Sequence, residues 1–117
     1  MNNQKVEHKF INNVPVISIE GDMTSETDHE ILNALKEIQN ITDSPKLIIN
    51  FEKTNYINSA GIATLINIIQ TIGESKAQIV FVALTPHFKK VMEIVGILDF
   101  VRQTETDDEA VSLLLSI

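Results

Sequence analysis

A hydroxyl side chain stands where an apolar segment gives way to a helical pattern, in the stretch NYINSAGIATLINIIQTIG, residues 55–73. Ser59 follows Asn58 and precedes the small residues Ala60 and Gly61, so another backbone could approach the hydroxyl closely. Two interpretations of this serine are open. It is either a helix N-cap, which satisfies backbone N–H groups, or a hydroxyl presented to a partner or for chemistry.

Catalysis by Ser59 would need a base and an oxyanion hole, and the sequence shows a signature of neither. The residues around Ser59 do not form the G-x-S-x-G pattern of a nucleophile elbow. Phosphate-binding loops of the G-x-G-x-x-G and G-x-x-x-x-G-K-[ST] types do not occur either. We expect no catalytic residue and no enzyme, and a small hydrolase that uses Ser59 is the least favoured interpretation.

Metal-binding chemistry finds little support in the residue types present. His8, His29 and His87 lie far apart, and none has a second histidine or a carboxylate at metal-ligand spacing. The chain has no cysteine, which excludes disulfides, thiolate catalysis and sulfur-ligated metals. Glu20, Asp22 and Asp28 lie near one loop, and such clusters are more often a helix start and its solvated flank than a paired-carboxylate site. We expect neither a metal site nor a cofactor.

The composition is that of a single soluble domain, with 117 residues of which 44% are hydrophobic and 21% charged. The net charge of −7 repels nucleic-acid phosphates and anionic lipids, so we expect no nucleic-acid partner and no membrane insertion. The longest apolar run, Ile79–Leu84, is far shorter than the roughly 20 residues of a membrane span. Because the N-terminus does not look like a signal peptide, we expect a cytoplasmic protein.

The elements that must position Ser59 follow from hydrophobic periodicity, which predicts the order β-β-α-β-α-β-α-(β)-α. KVEHKF and VPVISI form a hairpin around Asn12 and Asn13, which both tolerate positive φ. KLIINF and AQIVFVAL are apolar enough to be buried on both faces. Helical patterns begin near Thr24, Ser59, Thr85 and Thr106.

Strands that alternate with helices indicate a largely parallel sheet with right-handed crossovers. Ligands and partners of such sheets usually meet the loops at the carboxyl ends of the strands. Two loops lie at that edge in this topology, EGDMTSE and EKTNYINSAG. They form the predicted functional surface.

The stretch YINSAGIATLI, followed after a strand by LTPHFKKVMEIVGILDF, resembles the STAS domain of bacterial anti-sigma factor antagonists. The similarity spans nearly the whole chain, and its pattern consists of Ser59 and Gly61, then Thr85–Pro86, then Gly96 and Asp99. This resemblance implies an α/β, STAS-like fold with a mixed four- to five-stranded sheet and about four helices. Residues 1–117 would form a single STAS domain.

The resemblance also implies a function. In this family, a serine at the position of Ser59 is phosphorylated by a partner kinase that is also the anti-sigma factor. The unmodified antagonist captures that kinase and frees the sigma factor, and a phosphoserine phosphatase resets the switch. The chain would thus regulate transcription indirectly, as a phosphorylation-switched binding module. At two positions where many members have aspartate, this chain has Thr24 and Asn58.

We expect partner contacts on both predicted loops, from Asp22, Met23, Thr24, Asn58, Ala60, Gly61, Ile62 and Thr64. Met23 either anchors the interface or lies in the core beneath its loop. Ile68 and Ile72 either extend the core or join the docking surface. The alternative function is a non-switching STAS scaffold or accessory subunit in a signalling or lipid-transport complex.

Overall fold

The computed structural model describes residues 4–42, 45–72 and 78–116. In chain order the described elements are β1 (Lys5–Ile11), β2 (Val14–Met23), α1 (Ser25–Ile41), β3 (Leu47–Asn50), β4 (Thr54–Ile57), α2 (Ser59–Ile72), β5 (Ile79–Val82), α3 (Pro86–Ile94), β6 (Arg102–Thr104) and α4 (Asp107–Leu115). A short 3-10 helix, Ile97–Asp99, connects α3 to β6.

The hairpin at the start of the chain forms as predicted. Asn12 and Asn13 have φ values of 50° and 69°, the left-handed conformations that a two-residue type I′ turn requires. Pro15 is the second residue of β2 and lies opposite Phe10 of β1, outside the part of β2 that pairs with β3. Its missing N–H therefore removes no bond from the centre of the sheet.

The main sheet has the strand order β1-β2-β3-β5-β6. Only β1 runs antiparallel to its neighbour, and the other pairs in this order are parallel. The register aligns Ile17 of β2 with Ile49 of β3, and Ile49 with Phe81 of β5. This mixed sheet and the four α-helices of the described residues confirm the predicted fold class.

β4 is a strand that the sequence analysis placed in a loop, so the described sheet has six strands rather than four or five. It pairs in parallel with the carboxyl end of β2, where Asp22 lies opposite Tyr56. The Thr54 hydroxyl also donates a 2.6 Å hydrogen bond to the Ile19 carbonyl of β2. Backbone pairing with β2 and the hydrogen bond of the buried Thr54 therefore hold this polar segment as a strand, although its sequence lacks apolar alternation.

Helices cover both faces of the sheet, which explains why β3 and β5 are buried at every position. Alternate strand residues belong to two separate cores. Ile17, Ile49 and Phe81 pack with residues of α1, α2 and α3, whereas Val16, Ile48 and Val80 pack with residues of α4.

The starts of α1, α3 and α4 agree with the predicted capping residues. The Thr24 side chain accepts a hydrogen bond from the Glu26 N–H at the start of α1. Thr85 and Thr106 make equivalent cap bonds for α3 and α4. Beyond α3, Gly96 has a φ of 83°, the left-handed conformation that commonly ends a helix.

Candidate functional site

The two loops predicted to carry function meet at one edge of the sheet. β2 and β4 are parallel neighbours, so the residues that follow them, Thr24 and Asn58, emerge side by side. The Asn58 N–H donates to the Met23 carbonyl oxygen at 3.2 Å, which ties the start of α2 to the end of β2. The shared edge confirms the prediction drawn from the strand order.

Asn58, not Ser59, is the N-cap of α2. The Asn58 Oδ1 accepts a hydrogen bond from the Gly61 N–H at 3.0 Å, and its carbonyl oxygen accepts one from the Ile62 N–H at 3.0 Å. Ser59 is the first residue of α2, and its exposed side chain makes no hydrogen bond within the described residues. The interpretation of Ser59 as the capping residue is therefore wrong, because asparagine fills that role one position earlier.

Two backbone N–H groups at the start of α2 are left for a ligand. The first N–H groups of a helix lack partners within the helix. Here those of Asn58 and Gly61 are satisfied, whereas those of Ser59 and Ala60 have no partner in the described part of the chain. These groups and the positive end of the helix dipole favour an anion beside the Ser59 hydroxyl.

Gly61 holds α2 against β2. A Cβ added at Gly61 would lie 2.5 Å from the Met23 carbonyl oxygen and 3.0 Å from Cγ2 of Ile57. Only glycine allows the helix to start this close to the strand backbone. Gly61 is itself buried, so its predicted role as a partner contact is corrected to one of internal packing.

Met23 and Thr64 also turn out to lie beneath the surface. Met23 is 0% exposed and belongs to the core that faces α1, α2 and α3, so of its two interpretations the core residue is right. Thr64 is 3% exposed, and its hydroxyl donates to the carboxylate of Asp28, which joins α2 to α1. Neither side chain is available as the partner contact that the sequence predicted.

The two isoleucines left open by the sequence extend the core. Ile68 is fully buried, and Ile72 is partly buried against the same cluster. Ile68 therefore does not reach the outer surface of α2, and Ile72 does so only in part.

The predicted partner contacts that remain accessible around Ser59 are fewer than predicted. Asp22, Thr24, Asn58, Ala60 and Ile62 are all half-buried, with part of each residue accessible to solvent. These five predicted contacts frame the exposed serine, and they stay predictions as partner contacts.

Tyr56 is a surface residue that the sequence analysis missed. It is 54% exposed and lies opposite Asp22 across the pair of β2 and β4. The sequence signal for this residue is an aromatic side chain three residues before Ser59, within a segment whose sequence predicts a loop. Once β4 is recognised as a strand, Tyr56 joins the same edge.

The family model of the STAS domain matches residues 5–110 of this chain. The chain belongs to the STAS domain family. Nearly all the described elements of this STAS domain, from β1 into α4, fall within the match.

Solved structures show the same fold at low sequence identity. An anti-sigma factor antagonist from Mycobacterium paratuberculosis is 18% identical with a TM-score of 0.82, over 97% of this chain and 95% of that chain. The anti-sigma factor antagonist SpoIIAA in its unphosphorylated form is 16% identical with a TM-score of 0.75, over 97% and 98%. The Bacillus cell fate determinant SpoIIAA in its phosphorylated form is 17% identical with a TM-score of 0.64, over 93% and 96%.

The described residues contain neither a clustered metal-ligand set nor a membrane-spanning helix. No group of three or more histidine, aspartate or glutamate side chains comes together as a metal site in residues 4–42, 45–72 and 78–116. In the same ranges, no helix has the length and apolar character needed to cross a bilayer.

Proposed function

We propose that this STAS domain is an anti-sigma factor antagonist that is switched by phosphorylation of Ser59. When Ser59 is unmodified, the domain sequesters an anti-sigma factor with serine-kinase activity and so regulates transcription indirectly. A phosphoserine phosphatase restores the binding form. The observation that carries the proposal is the exposed Ser59 hydroxyl, which makes no hydrogen bond in the described chain because Asn58 caps the helix.

A phosphate at Ser59 would suit the local backbone. It adds about −1.5 to −2 charges at pH 7. The unpaired N–H groups of Ser59 and Ala60 and the dipole of α2 stabilise negative charge at this position. The fold therefore tolerates the modification.

The cost of the phosphate falls on the interface instead. Burying a dianion against an apolar or acidic partner surface costs about 3–5 kcal/mol, which corresponds to roughly 10²–10⁴ in affinity. Asn58 caps α2 as an aspartate would, but it places no negative charge beside the phosphate.

The comparisons support this proposal through the names of the similar structures. Two are those of anti-sigma factor antagonists, and SpoIIAA occurs in both an unphosphorylated and a phosphorylated form. In this chain, α2 starts at the carboxyl edge of the sheet, where β2 and β4 end.

A binding experiment tests the proposal with three forms of the full chain. Each kinase-type anti-sigma factor encoded in the genome of origin is purified and titrated with the wild type, Ser59→Ala and Ser59→Asp. We expect Ser59→Ala to bind like the wild type and Ser59→Asp to bind about 100-fold more weakly or worse. Ser112→Asp is the control, because Ser112 is exposed on α4, on the other face of the sheet.

Modification is measured in the same reactions by intact mass after incubation with ATP. The wild type should gain one phosphate and Ser59→Ala none. If no anti-sigma factor binds the wild type, or if Ser59→Asp binds as tightly as the wild type, the proposed switch is wrong.

The second candidate function, a non-switching scaffold or accessory subunit, is favoured by one observation. The residue before Ser59 is Asn58, where many family members carry aspartate. A kinase that recognises an acidic residue beside the serine would not find one in this chain. A wild-type chain that binds its partner but never gains phosphate would favour this alternative.

A further inference from the structure

An apolar groove opens between α2 and the turn that follows α3. It encloses about 270 Å³, and its lining includes Ile66, Ile69, Val95, Ile97 and Phe100. Three of these side chains are substantially exposed: Ile66 by 37%, Val95 by 46% and Phe100 by 51%. Exposed apolar side chains that line one groove form a candidate interaction site, whereas singly scattered ones are ordinary.

The helix on one side of the groove carries no charge. None of the 14 residues of α2 is acidic or basic, although 21% of the whole chain is charged. Its exposed positions hold uncharged residues such as Ala63, Asn67 and Gln70. Charged residues are depleted at the cores of protein interfaces, and a solvated helix face normally carries them.

Ser59 and the groove share one face of α2. Ser59, Ile62, Ile66 and Ile69 follow one another at spacings of three and four residues, which places them along one side of a helix. At 1.5 Å per residue, Ile66 lies about 10 Å from Ser59 along the axis. A standard interface covers about 800 Å² on each partner, a radius of roughly 16 Å. A partner centred on Ser59 that extends along α2 therefore reaches the groove.

We propose that the groove receives the apolar face of a helix from the same anti-sigma factor that binds around Ser59. This inference rests on the proposed function. The groove is bordered by α2 on one side and by the turn and the 3-10 helix Ile97–Asp99 on the other. An amphipathic helix packs into an apolar groove by inserting side chains at spacings of three and four residues. Among the described residues the lining of the groove offers one polar side chain, Gln70, too few to orient a small ligand, so inserted apolar side chains suit it better.

A second copy of the chain is a less suitable occupant. Each copy carries a net charge of −7, so two copies repel one another. The groove alone also falls far short of the 20–30 residues that each partner contributes to a stable interface. It suits an extension of the Ser59 surface better than a separate dimer contact.

The test uses the purified anti-sigma factor that binds the wild-type chain. Ile66→Glu and Phe100→Glu should each weaken binding about 10- to 100-fold, because each places a charge in a desolvated contact. Ile41→Glu is the matched control, since Ile41 is an exposed isoleucine of α1 outside the groove and should leave affinity unchanged. Thermal unfolding verifies that all variants fold, and Ile66→Gln replaces Ile66→Glu if the charged variant does not.

The outcomes separate this inference from the proposed function. If Ser59→Asp weakens binding and both groove variants bind like the wild type, the groove proposal is overturned and the proposed function stands. If all three variants bind like the wild type, or no anti-sigma factor binds at all, both fail.

Photo-crosslinking identifies the occupant. A benzophenone side chain introduced at Ile66 should label a helical segment of the anti-sigma factor, as mapped by peptide mass spectrometry. The proposal would be overturned if the probe labelled a second copy of the chain or a non-helical segment. It would also be overturned if the probe at Ile66 labelled nothing while a probe at Ala63 labelled the factor.

Discussion

Asn58 and Ser59 divide between them two tasks that one residue often performs at a helix start. Asn58 accepts the Gly61 N–H and so caps α2, which leaves the Ser59 hydroxyl without any bond in the described chain. Because the serine holds nothing together, its chemistry can change without disturbing the helix.

Substitutions at Ser59 should therefore leave the fold intact. We expect Ser59→Ala and Ser59→Asp to change the free energy of unfolding by less than about 0.5 kcal/mol, with aspartate slightly favourable at the positive end of the dipole. Urea denaturation measures both. Ser25→Asp is the matched control, because Ser25 is likewise the exposed first residue of a helix. Unfolding of Ser59→Asp alone would show that the serine is structural.

Substitutions at Asn58 should behave in the opposite way. Asn58→Ala removes the bond to the Gly61 N–H and should lower the free energy of unfolding by about 1 kcal/mol. Asn58→Asp keeps an oxygen acceptor and should stay within about 0.5 kcal/mol of the wild type. The comparison is again a urea titration, and equal stability of the alanine variant would contradict the assignment of the cap.

The sequence located the site correctly, but it did not show which residue caps α2 and which presents a free hydroxyl. Serine, glycine and the change of periodicity located the site within residues 58–61. Asparagine and serine are comparable N-caps, and an apolar stripe does not define a helix start to a single residue, so the two roles were not separable.

At the scale of elements, two glycines are required for different reasons. Gly96 has a positive φ of 83° and open space around the position of a Cβ. Gly61 has no room for a Cβ, because the Met23 carbonyl would lie 2.5 Å from it. Gly96 is required for its left-handed backbone conformation, and Gly61 is required because α2 lies too close to β2 for a side chain.

Alanine at these two positions should separate the two effects. Gly96→Ala should lower the free energy of unfolding by about 1 kcal/mol, the cost of a left-handed non-glycine residue. Gly61→Ala should cost about 1–3 kcal/mol through overpacking and also displace the start of α2. Denaturation gives the energies, and amide chemical shifts of residues 57–62 report the displacement, which only Gly61→Ala should produce. Unchanged shifts there would contradict the close approach.

β4 shows why one element escaped prediction. The segment Thr54–Ile57 has two exposed residues in its centre, so its sequence shows no apolar alternation. Its pairing depends on the distant strand β2 and on the bond from Thr54 to the Ile19 carbonyl. Such long-range contacts leave no local pattern, whereas the hairpin and the helix caps are encoded by adjacent residues.

At the scale of the whole molecule, the two faces of the sheet are covered by different numbers of helices. Residues of three helices pack on one face, whereas α4 is the helix that contributes to the core of the other face among the described residues. The apolar runs of β3 and β5 predicted burial on both faces. They did not show which helix covers which side, and they gave no sign of the groove between α2 and the turn that follows α3.

The second core should therefore depend strongly on α4. Leu114 is fully buried against the sheet and Leu115 beside it is 53% exposed. We expect Leu114→Ala to lower the free energy of unfolding by about 2–5 kcal/mol and Leu115→Ala by less than about 0.5 kcal/mol. Chemical denaturation of both variants tests this, and similar losses for the two leucines would contradict the orientation of α4.

Tyr56 gives the molecule a built-in optical reporter. The chain contains one tyrosine and no tryptophan, so its ultraviolet emission comes almost entirely from this ring. Tyr56 is 54% exposed and lies on β4, the strand that leads into Ser59. A protein that covers this edge would alter the brightness of that single fluorophore, and occupancy could be followed in real time without attaching a dye.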